Sequence, residues 1–508
     1  MTTALSPRLA IWGTFDVANF GDHLFPRIFE HEMRRRLPTA QVQAFSPLGH
    51  LHPLPFDGGL MVEPLGEWSQ ERLAELAIRH DLVTIGGGEI IHTHDDVYAN
   101  YYGTSIEEAR RLQPSKFFIE GLGPALEESC PVTWHSVGIP FDLDEGPAAR
   151  VRSALEKRAY VSVRDHISHD RLLRAGVTCD VAVVPDSAFL VDRVVTDEEV
   201  ERRLAYLRGI EAYPPSERPL IVQGSRALLP HVEDIARNLT SAIAETGDMP
   251  IVLLETGRCH GDEDFAAAIA PYLSGHVYRM PASPLIADIV AAIVHSRGFV
   301  GISLHGNVIA FAHGLPSAIL DLGLGYSELG EFAALVHGED ALVRTPADLL
   351  PAILRVLSGT PPWNGLGEIT GRIDSHFDTL AELAEQSALE RLDRSPFVRS
   401  SAAAKAFGEA REGETALRRA FEARGRRLVE QRLRLADEIE RLEQELRAKE
   451  QELSEERLRY ANLQQKLEAS EIEIDRLRSE IQGLLSSRSF RYTAPFRAIF
   501  SRLSRLVR

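Results

Sequence analysis

Between Leu9 and about Leu320, short apolar runs that favour β-structure alternate with helical patterns. Apolar strands that are separated by helices are typical of parallel sheets covered on both faces, so this part of the chain is predicted to be α/β. The candidate strands are Leu9–Trp12, Val42–Phe45, Leu82–Ile85, Val132–Val137, Tyr160–Val163, Val181–Val184, Leu220–Val222, Ile251–Leu254, Phe299–Ile302 and Ala318–Leu320.

The chain divides into six predicted segments. A charged helical stretch ends in the proline-rich run Glu211–Pro219, which is a plausible hinge. The simplest architecture is two Rossmann-like domains facing a cleft, with ligands at the carboxyl ends of the strands. The segments are an N-terminal domain (1–195), a linker helix and hinge (196–218), a C-terminal domain with trailing helices (219–395), a linker (396–424), a coiled-coil helix (425–485) and a basic tail (486–508).

A heptad repeat predicts the coiled coil in residues 425–485. Every a position of the repeat is apolar, which is strong evidence for a left-handed coiled coil. A homodimer is the expected product, with a trimer or a partner helix as the alternatives. The a positions are Ile439, Leu446, Leu453, Tyr460, Leu467, Ile474 and Ile481, and the d positions are Leu435, Leu442, Lys449, Glu456, Leu463, Ser470, Leu477 and Leu484.

Charge is unevenly distributed along the chain. The net charge is −18, which argues against coating of nucleic-acid phosphates. Residues 486–508 nevertheless contain six arginines and no acid, interleaved with large apolar residues. Such a segment can lie on an anionic membrane surface, and the alternative is a solvated tail.

The cellular location is predicted from what the chain contains. Its three cysteines, Cys130, Cys179 and Cys259, are too scattered for a disulfide framework or a zinc site and fit a reducing compartment. The N-terminus does not have the pattern of a signal peptide, and the longest apolar stretch is too short to span a bilayer. The protein is therefore expected to be cytoplasmic, with peripheral attachment to the inner face of the membrane as a further expectation.

Two loops that follow predicted strands of the N-terminal domain are candidate ligand sites. Asn19-Phe-Gly-Asp22 precedes a helix, whose N-terminus favours anionic groups, although an Asp-capped turn explains it equally well. Gly86-Gly87-Gly88 ends an apolar strand and exposes bare backbone, and Glu89 follows it as a polar group for the cleft.

Charged residues follow other predicted strands. Arg164 can hold a carboxylate or phosphate, or can pair with Asp165. Asp186 follows a strand near the cleft, and Arg226 follows a strand of the C-terminal domain. His305 lies at the turn that opens a helix, where an imidazole can act as acid or base beside a bound phosphate.

Taken in order, these motifs resemble the polysaccharide pyruvyl transferase family. The matching elements are Asn19-Phe-Gly-Asp22, Gly86-Gly87-Gly88, Ser162-Val-Arg-Asp165 with Ser168, Val184-Pro-Asp186, and Ser303-Leu-His-Gly306 with Gly314-Leu-Pro316. The resemblance spans about Trp12 to Asp321. It implies a GT-B-like fold with an N-terminal acceptor side and a C-terminal donor side. It also implies transfer of the pyruvyl group of phosphoenolpyruvate to two hydroxyls of a saccharide acceptor, with no metal or other cofactor.

The resemblance assigns roles to residues of this chain. The family commonly has an arginine at the position of Ser303, and losing a guanidinium weakens a phosphate site unless Arg226 or Arg297 replaces it. The predicted catalytic residues are His305, Asp186 and Asp22, and the predicted substrate-binding residues are Asn19, Gly21, Gly86, Gly87, Gly88, Glu89, Arg164, Arg226, Ser303, Leu304 and Gly306.

Three functions fit the sequence. The leading hypothesis is a pyruvyl transferase that modifies a surface polysaccharide or its lipid-linked precursor. The second is a GT-B glycosyltransferase that uses a nucleotide sugar, and the third is a non-catalytic scaffold that acts through its coiled coil.

Overall fold

The computed structural model describes residues 6–49, 61–247, 249–273, 275–281, 284–336, 338–359, 365–393, 449, 466, 470–483, 485–486 and 492–506. The chain separates into two compact units, Met1–Arg411 and Glu412–Arg508. The first unit contains two parallel sheets, and the predicted α/β class is confirmed.

The first sheet has seven parallel strands in the order β3-β2-β1-β4-β5-β6-β7. Six of them were predicted from their apolar runs. The sequence did not indicate β3, because it is a three-residue edge strand that ends in a proline. The strands are Arg8–Trp12 (β1), Gln41–Ser46 (β2), Val62–Pro64 (β3), Leu82–Gly86 (β4), Val132–Val137 (β5), Tyr160–Val163 (β6) and Ala182–Val183 (β7).

The second sheet has six parallel strands in the order β10-β9-β8-β11-β12-β13. The four central strands were predicted, and the short strands at the two edges were not. The strands are Leu220–Gln223 (β8), Ile251–Leu253 (β9), Val277–Arg279 (β10), Gly298–Gly301 (β11), Ser317–Leu320 (β12) and Leu342–Val343 (β13).

Helices connect the strands, as parallel pairing requires. They are Phe20–Arg36 (α1), Gln70–Arg79 (α2), Asp95–Tyr102 (α3), Ile106–Leu112 (α4), Pro114–Glu120 (α5), Pro124–Glu127 (α6), Glu145–Leu155 (α7), His166–Arg174 (α8), Asp197–Gly209 (α9), Val232–Thr246 (α10), Asp262–Ile269 (α11), Ile286–Val294 (α12), Leu304–Ala312 (α13), Ser327–Leu335 (α14), Leu349–Ser358 (α15) and Leu366–Asp393 (α16). None of the helices in the described part of the chain is long and apolar enough to cross a membrane.

The two sheets share one of two apolar clusters, and the other packs on the first sheet alone. A continuous buried cluster runs from β1 and α1 through the 3-10 helix Ser187–Arg193 to the strands of the second sheet. Within it, the ring of Phe189 lies 5.5 Å from that of Phe311 in α13. This shared core holds the carboxyl ends of the two sheets close together.

Helix α16 packs against the first sheet, although the sequence places it after the second. Its Phe377 ring lies 6.2 Å from Phe29 in α1. Nδ1 of His135 in β5 lies 2.6 Å from Nε2 of His376 in α16, and both side chains are buried. The predicted segment 219–395 therefore includes a helix that contacts the N-terminal sheet, and the predicted segment boundaries themselves stay predictions.

The buried histidine pair predicts a loss of stability in acid. Burial lowers the pKa of His135 from 6.5 to about 4 and holds that of His376 well below 6.5. Stability from a His with a lowered pKa is present above pH 6.5 and lost below it, because the unfolded chain then binds protons that the folded chain excludes. Replacing His376→Gln should reduce the loss in unfolding free energy between pH 7.5 and 5.0 by about 2 kcal/mol. Urea unfolding measures this difference.

The control is Ser375→Ala, on the same helix, which leaves both histidines in place. Other titrating groups contribute equally to both proteins and cancel in the comparison. An unchanged pH dependence in His376→Gln contradicts the prediction.

The second unit is described only in part. Residues 470–483 are helical, and a tail helix covers Ala494–Leu506. The heptad residues Ile474, Leu477 and Ile481 are exposed in this helix, as unpaired a and d positions would be. Most of the predicted coiled coil lies outside the described residues, so the coiled coil and the homodimer stay predictions.

Candidate active site

His305 is the central side chain of the candidate site and lies at the carboxyl end of β11. Ser303 caps α13: its hydroxyl accepts a hydrogen bond from the Gly306 amide at 3.2 Å, and its own amide donates to Oε1 of Gln223 at 2.8 Å. Gly306 is required here, because a Cβ would lie 2.3 Å from the Phe299 ring. Ser303 thus sets the start of the helix that carries His305.

Three groups of the N-terminal domain surround the His305 ring. Nε2 lies 3.5 Å from Oδ2 of Asp186, and Phe25 packs edge-on with ring centroids 5.5 Å apart. The backbone of Gly21 covers Nδ1. Burial disfavours the charged imidazole, but the Asp186 carboxylate outweighs it, so the pKa of His305 is raised. Burial opposes ionisation of Asp186 as well, but His305 and Arg164 hold the pKa of that carboxyl low.

Asp22 is a second carboxyl group close to His305. It lies in the first turn of α1, and its Oδ1 accepts a hydrogen bond from the Thr14 hydroxyl at 2.5 Å. Burial raises the pKa of Asp22 to about 6, while Thr14, His305 and Arg164 act in the opposite direction. A carboxyl group with this pKa is mostly ionised at neutral pH and can still take up a proton.

Arg164 is buried among carboxyl groups from both domains. Its guanidinium contacts Glu89 at 2.9 Å, Asp165 at 3.3 Å and, across the domain boundary, Glu328 in α14. Burial and the nearby Glu328 raise the pKa of Glu89 to about 8, so Glu89 is largely protonated at neutral pH. Glu89 and Arg164 were predicted from the sequence, but Glu328 was not. Glu328 follows a strand of the second sheet, whereas Glu89 and Arg164 follow strands of the first.

The three glycines Gly86, Gly87 and Gly88 at the end of β4 allow these groups to lie so close together. Gly87 and Gly88 have φ of +96° and +75°, which are backbone conformations that residues other than glycine rarely adopt. A Cβ on Gly86 would lie 2.8 Å from the His135 carbonyl oxygen, and one on Gly88 would lie 3.5 Å from Oδ1 of Asp22. The turn therefore brings its backbone against Asp22 and directs Glu89 to Arg164.

A loop of the C-terminal domain contacts the Asn19 turn. The Phe20 amide donates to the Thr256 carbonyl at 2.7 Å, and Nδ2 of Asn19 lies 3.2 Å from Nε2 of His260. The Tyr101 ring lies 5.6 Å from the His260 ring. His260 and Tyr101 were not predicted from the sequence, because neither belongs to a motif at the end of a predicted strand.

The two arginines considered as replacements at Ser303 lie elsewhere. Arg226 pairs with Asp264 at 2.6 Å, and its side chain is 65% exposed. Arg297 precedes β11 and donates its amide to the Pro219 carbonyl, so it lies at the amino end of the strand, away from His305. Arg297 therefore does not compensate for Ser303, and substrate binding by Arg226 stays a prediction.

A cavity of about 230 Å³ adjoins the charged groups between the domains. Its lining includes Arg164, Asp186, Leu304, Glu328 and Phe332. Among the described residues, no group of His, Cys, Asp and Glu side chains is arranged to hold a metal ion. The site offers acid–base groups and a buried arginine beside a partly open cavity, which Arg164 and Asp186 line and His305, Asp22 and Glu89 do not.

The contact of Gly21 with His305 gives a sharp test of the site. In Gly21→Ala the added methyl would lie 2.1 Å from Nδ1, so the ring or the start of α1 must move. We expect catalytic activity to fall by about 10-fold to 100-fold, because small displacements of catalytic groups are costly. Steady-state kinetics on a folded variant measures this.

Gly146→Ala is the matched control, because Gly146 is helical and has nothing within 4 Å of an added Cβ. Equal activity in the two variants contradicts the assigned contact.

Together, the fold and the site define a two-domain α/β protein with acid–base groups where the two sheets meet. The polysaccharide pyruvyl transferase family model matches residues 19–322, more than half of the chain and all of the predicted site residues. The chain belongs to this family. No curated protein sequence matches it.

The backbone of this chain follows a course similar to that of several solved structures. UDP-GlcNAc 2-epimerase from Neisseria meningitidis is 12% identical, with a TM-score of 0.44 over 72% of this chain and 99% of that one. The epimerase from Methanocaldococcus jannaschii is 11% identical, with a TM-score of 0.44 over 73% and 99%. The glycosyltransferase SnogD from Streptomyces nogalater is 15% identical, with a TM-score of 0.36 over 75% and 100%.

Proposed function

We propose that this chain transfers the pyruvyl group of phosphoenolpyruvate to two hydroxyls of a sugar, forming a cyclic pyruvate ketal. The acceptor is a surface polysaccharide or its lipid-linked precursor. The observation that carries the proposal is the group formed by His305, Asp186 and Asp22, which lies inside the region matched to the family.

The reaction begins with protonation of the methylene carbon of phosphoenolpyruvate, which makes C2 electrophilic. His305 is suited to this step, because the Asp186 carboxylate raises its pKa and so favours its charged form; Nδ1 reaches the donor once Gly21 moves away from it. Glu89 is a second source of a proton, since its pKa is about 8. One of these acids gives its proton to carbon, and a sugar hydroxyl forms a bond to C2.

Bases then take up the hydroxyl protons. Asp22 is suited to this role, because its carboxyl group has a pKa of about 6 and lies close to His305. The second hydroxyl adds to C2 as the bond to the phosphate oxygen breaks, and inorganic phosphate leaves. In the complete reaction, one carbon–hydrogen and two carbon–oxygen bonds form, the carbon–carbon double bond becomes single, and the bond from C2 to the phosphate oxygen and two hydroxyl O–H bonds break. Of the two hydroxyl protons, one replaces the proton given to carbon and the other leaves on inorganic phosphate.

Two features favour an anionic donor. Arg164 supplies a buried positive charge, and an anionic donor that binds it would replace one of the carboxylates that contact it now, such as Glu328. The N-terminus of α13, which begins at Leu304, also favours negative charge. Ser303 caps this helix, where the family commonly has a guanidinium, so donor binding is the step to test first.

Calorimetric titration of phosphoenolpyruvate into the full-length protein, beside a panel of nucleoside diphosphates, tests the donor. We expect saturable binding of phosphoenolpyruvate that Arg164→Lys weakens, and release of phosphate when an acceptor is added. The acceptor should gain the mass of one pyruvate less one water. Binding of a nucleoside diphosphate alone overturns the proposal in favour of a glycosyltransferase, and binding of neither favours a scaffold.

A further inference from the structure

The tail of the chain carries a helix unlike those of the two α/β domains. The tail helix covers Ala494–Leu506, and residues 486–508 contain six arginines without an acidic residue. Tyr492, Phe496 and Ile499 are 81%, 75% and 57% exposed. Large apolar side chains that are this exposed indicate a surface that contacts another molecule or a lipid layer.

Apolar and basic positions lie on opposite faces of this helix. At 3.6 residues per turn, positions 496, 499, 500, 503 and 506 fall within an arc of about 120°. These positions are phenylalanine, isoleucine or leucine. Positions 497, 502 and 505 fall within an arc of about 140° on the other side, and all three are arginine.

This pattern differs from that of the preceding helical segment. There, acidic and basic side chains alternate and pair along the helix, as in Arg476–Glu473 and Arg478–Asp475. Such a mixed surface suits a partner helix of similar composition. The tail has basic residues and no acidic ones. It therefore complements a surface that is negatively charged and lies beside an apolar layer.

We propose that residues 486–508 bind the surface of a bilayer that contains anionic lipids. The tail helix lies in the plane of the membrane, with its apolar face toward the acyl chains and its arginines at the phosphate groups. This inference does not depend on the proposed transferase activity, because it rests on the tail helix alone.

Co-sedimentation of the full-length protein with vesicles tests the proposal. Phosphatidylcholine vesicles are compared with vesicles in which a third of the lipid is phosphatidylglycerol. We expect binding at least about 10-fold tighter to the anionic vesicles, since basic residues near the surface are attracted to its negative charge. Raising the salt concentration should weaken this binding, because it screens the charges.

Substitutions separate charge from apolar contact. Reversing the charge in Arg497→Glu, Arg502→Glu and Arg505→Glu together should abolish the preference for anionic vesicles. Replacing Phe496→Ser, Ile499→Ser and Phe500→Ser together should reduce binding to both kinds of vesicle. The control Ser501→Ala with Ser504→Ala should bind as the unchanged protein does.

Two results overturn the proposal. One is equal binding to neutral and anionic vesicles. The other is no vesicle binding together with a change in oligomeric state in the charge-reversed variant, which would make the tail a protein contact. Both readouts are obtained without substrate, so they are independent of whether phosphoenolpyruvate is the donor.

Discussion

Replacing His305→Gln should lower kcat for pyruvyl transfer by roughly 100-fold to 10,000-fold, the usual contribution of a general acid or base. Glutamine has similar length and polarity but cannot be protonated at neutral pH. The neighbouring Phe25 and Gly21 should hold the substituted side chain in place. Phosphate release with saturating acceptor measures the effect, and thermal unfolding confirms that the variant is folded.

His313→Gln is the matched control, because His313 follows the same helix at its other end and bonds to the Ile309 carbonyl. It should retain full activity. If His305→Gln were as active as this control, His305 would have no catalytic role.

The pH dependence of activity is a second test, because it would not change if His305 had only a structural role. Asp186 raises the pKa of His305, so in Asp186→Asn that pKa falls. If protonated His305 is the acid, activity is lost as the pH rises through its pKa. The alkaline limb should therefore move to lower pH by about one unit or more in Asp186→Asn, as expected for removal of an adjacent opposite charge.

Replacing Arg164→Met should destabilise the protein by about 3 kcal/mol, the lower end of the range for removing one partner of a buried ion pair. The lower end applies because the side chains of Glu89 and Glu328 are partly exposed. The change leaves carboxyl groups from both domains without their cation. Urea unfolding at pH 8 measures the loss.

Two comparisons test the cause of that loss. The loss in unfolding free energy should become smaller as the pH falls toward 5.5. Glu89 binds a proton more tightly in the folded chain than in the unfolded one, and removing Arg164 increases this difference in proton affinity. The added change Glu328→Gln should also recover part of the loss, since it removes one repelling charge. A deficit that is independent of pH and of Glu328 would indicate a packing effect instead.

The presence and parallel α/β class of the central strands followed from local patterns. Each of β1, β4, β5, β8 and β11 is an apolar run that is buried on both faces, so composition alone identifies it. The edge strands β3, β10 and β13 have two or three residues and are set by their neighbours, so no local signal predicts them.

The site residues that end strands were also accessible from sequence, because parallel sheets place ligand-binding loops at the carboxyl ends of their strands. Asp22, Arg164, Asp186 and His305 were predicted in this way; the structure brings them together, and their roles stay predictions. His260, Tyr101 and Glu328 were missed, since they join the group through contacts between elements that are distant in the chain.

By itself, then, the sequence determined which segments are buried strands, which loops follow them, and that the tail is basic and amphipathic. These are properties of short windows of residues, where periodicity, apolar content and charge act directly. Only the tertiary structure decided that Gly21 covers His305, that Arg164 contacts Glu328, and that α16 packs on the first sheet. The physical reason is that such contacts depend on the packing of two sheets around one core, which no local pattern encodes.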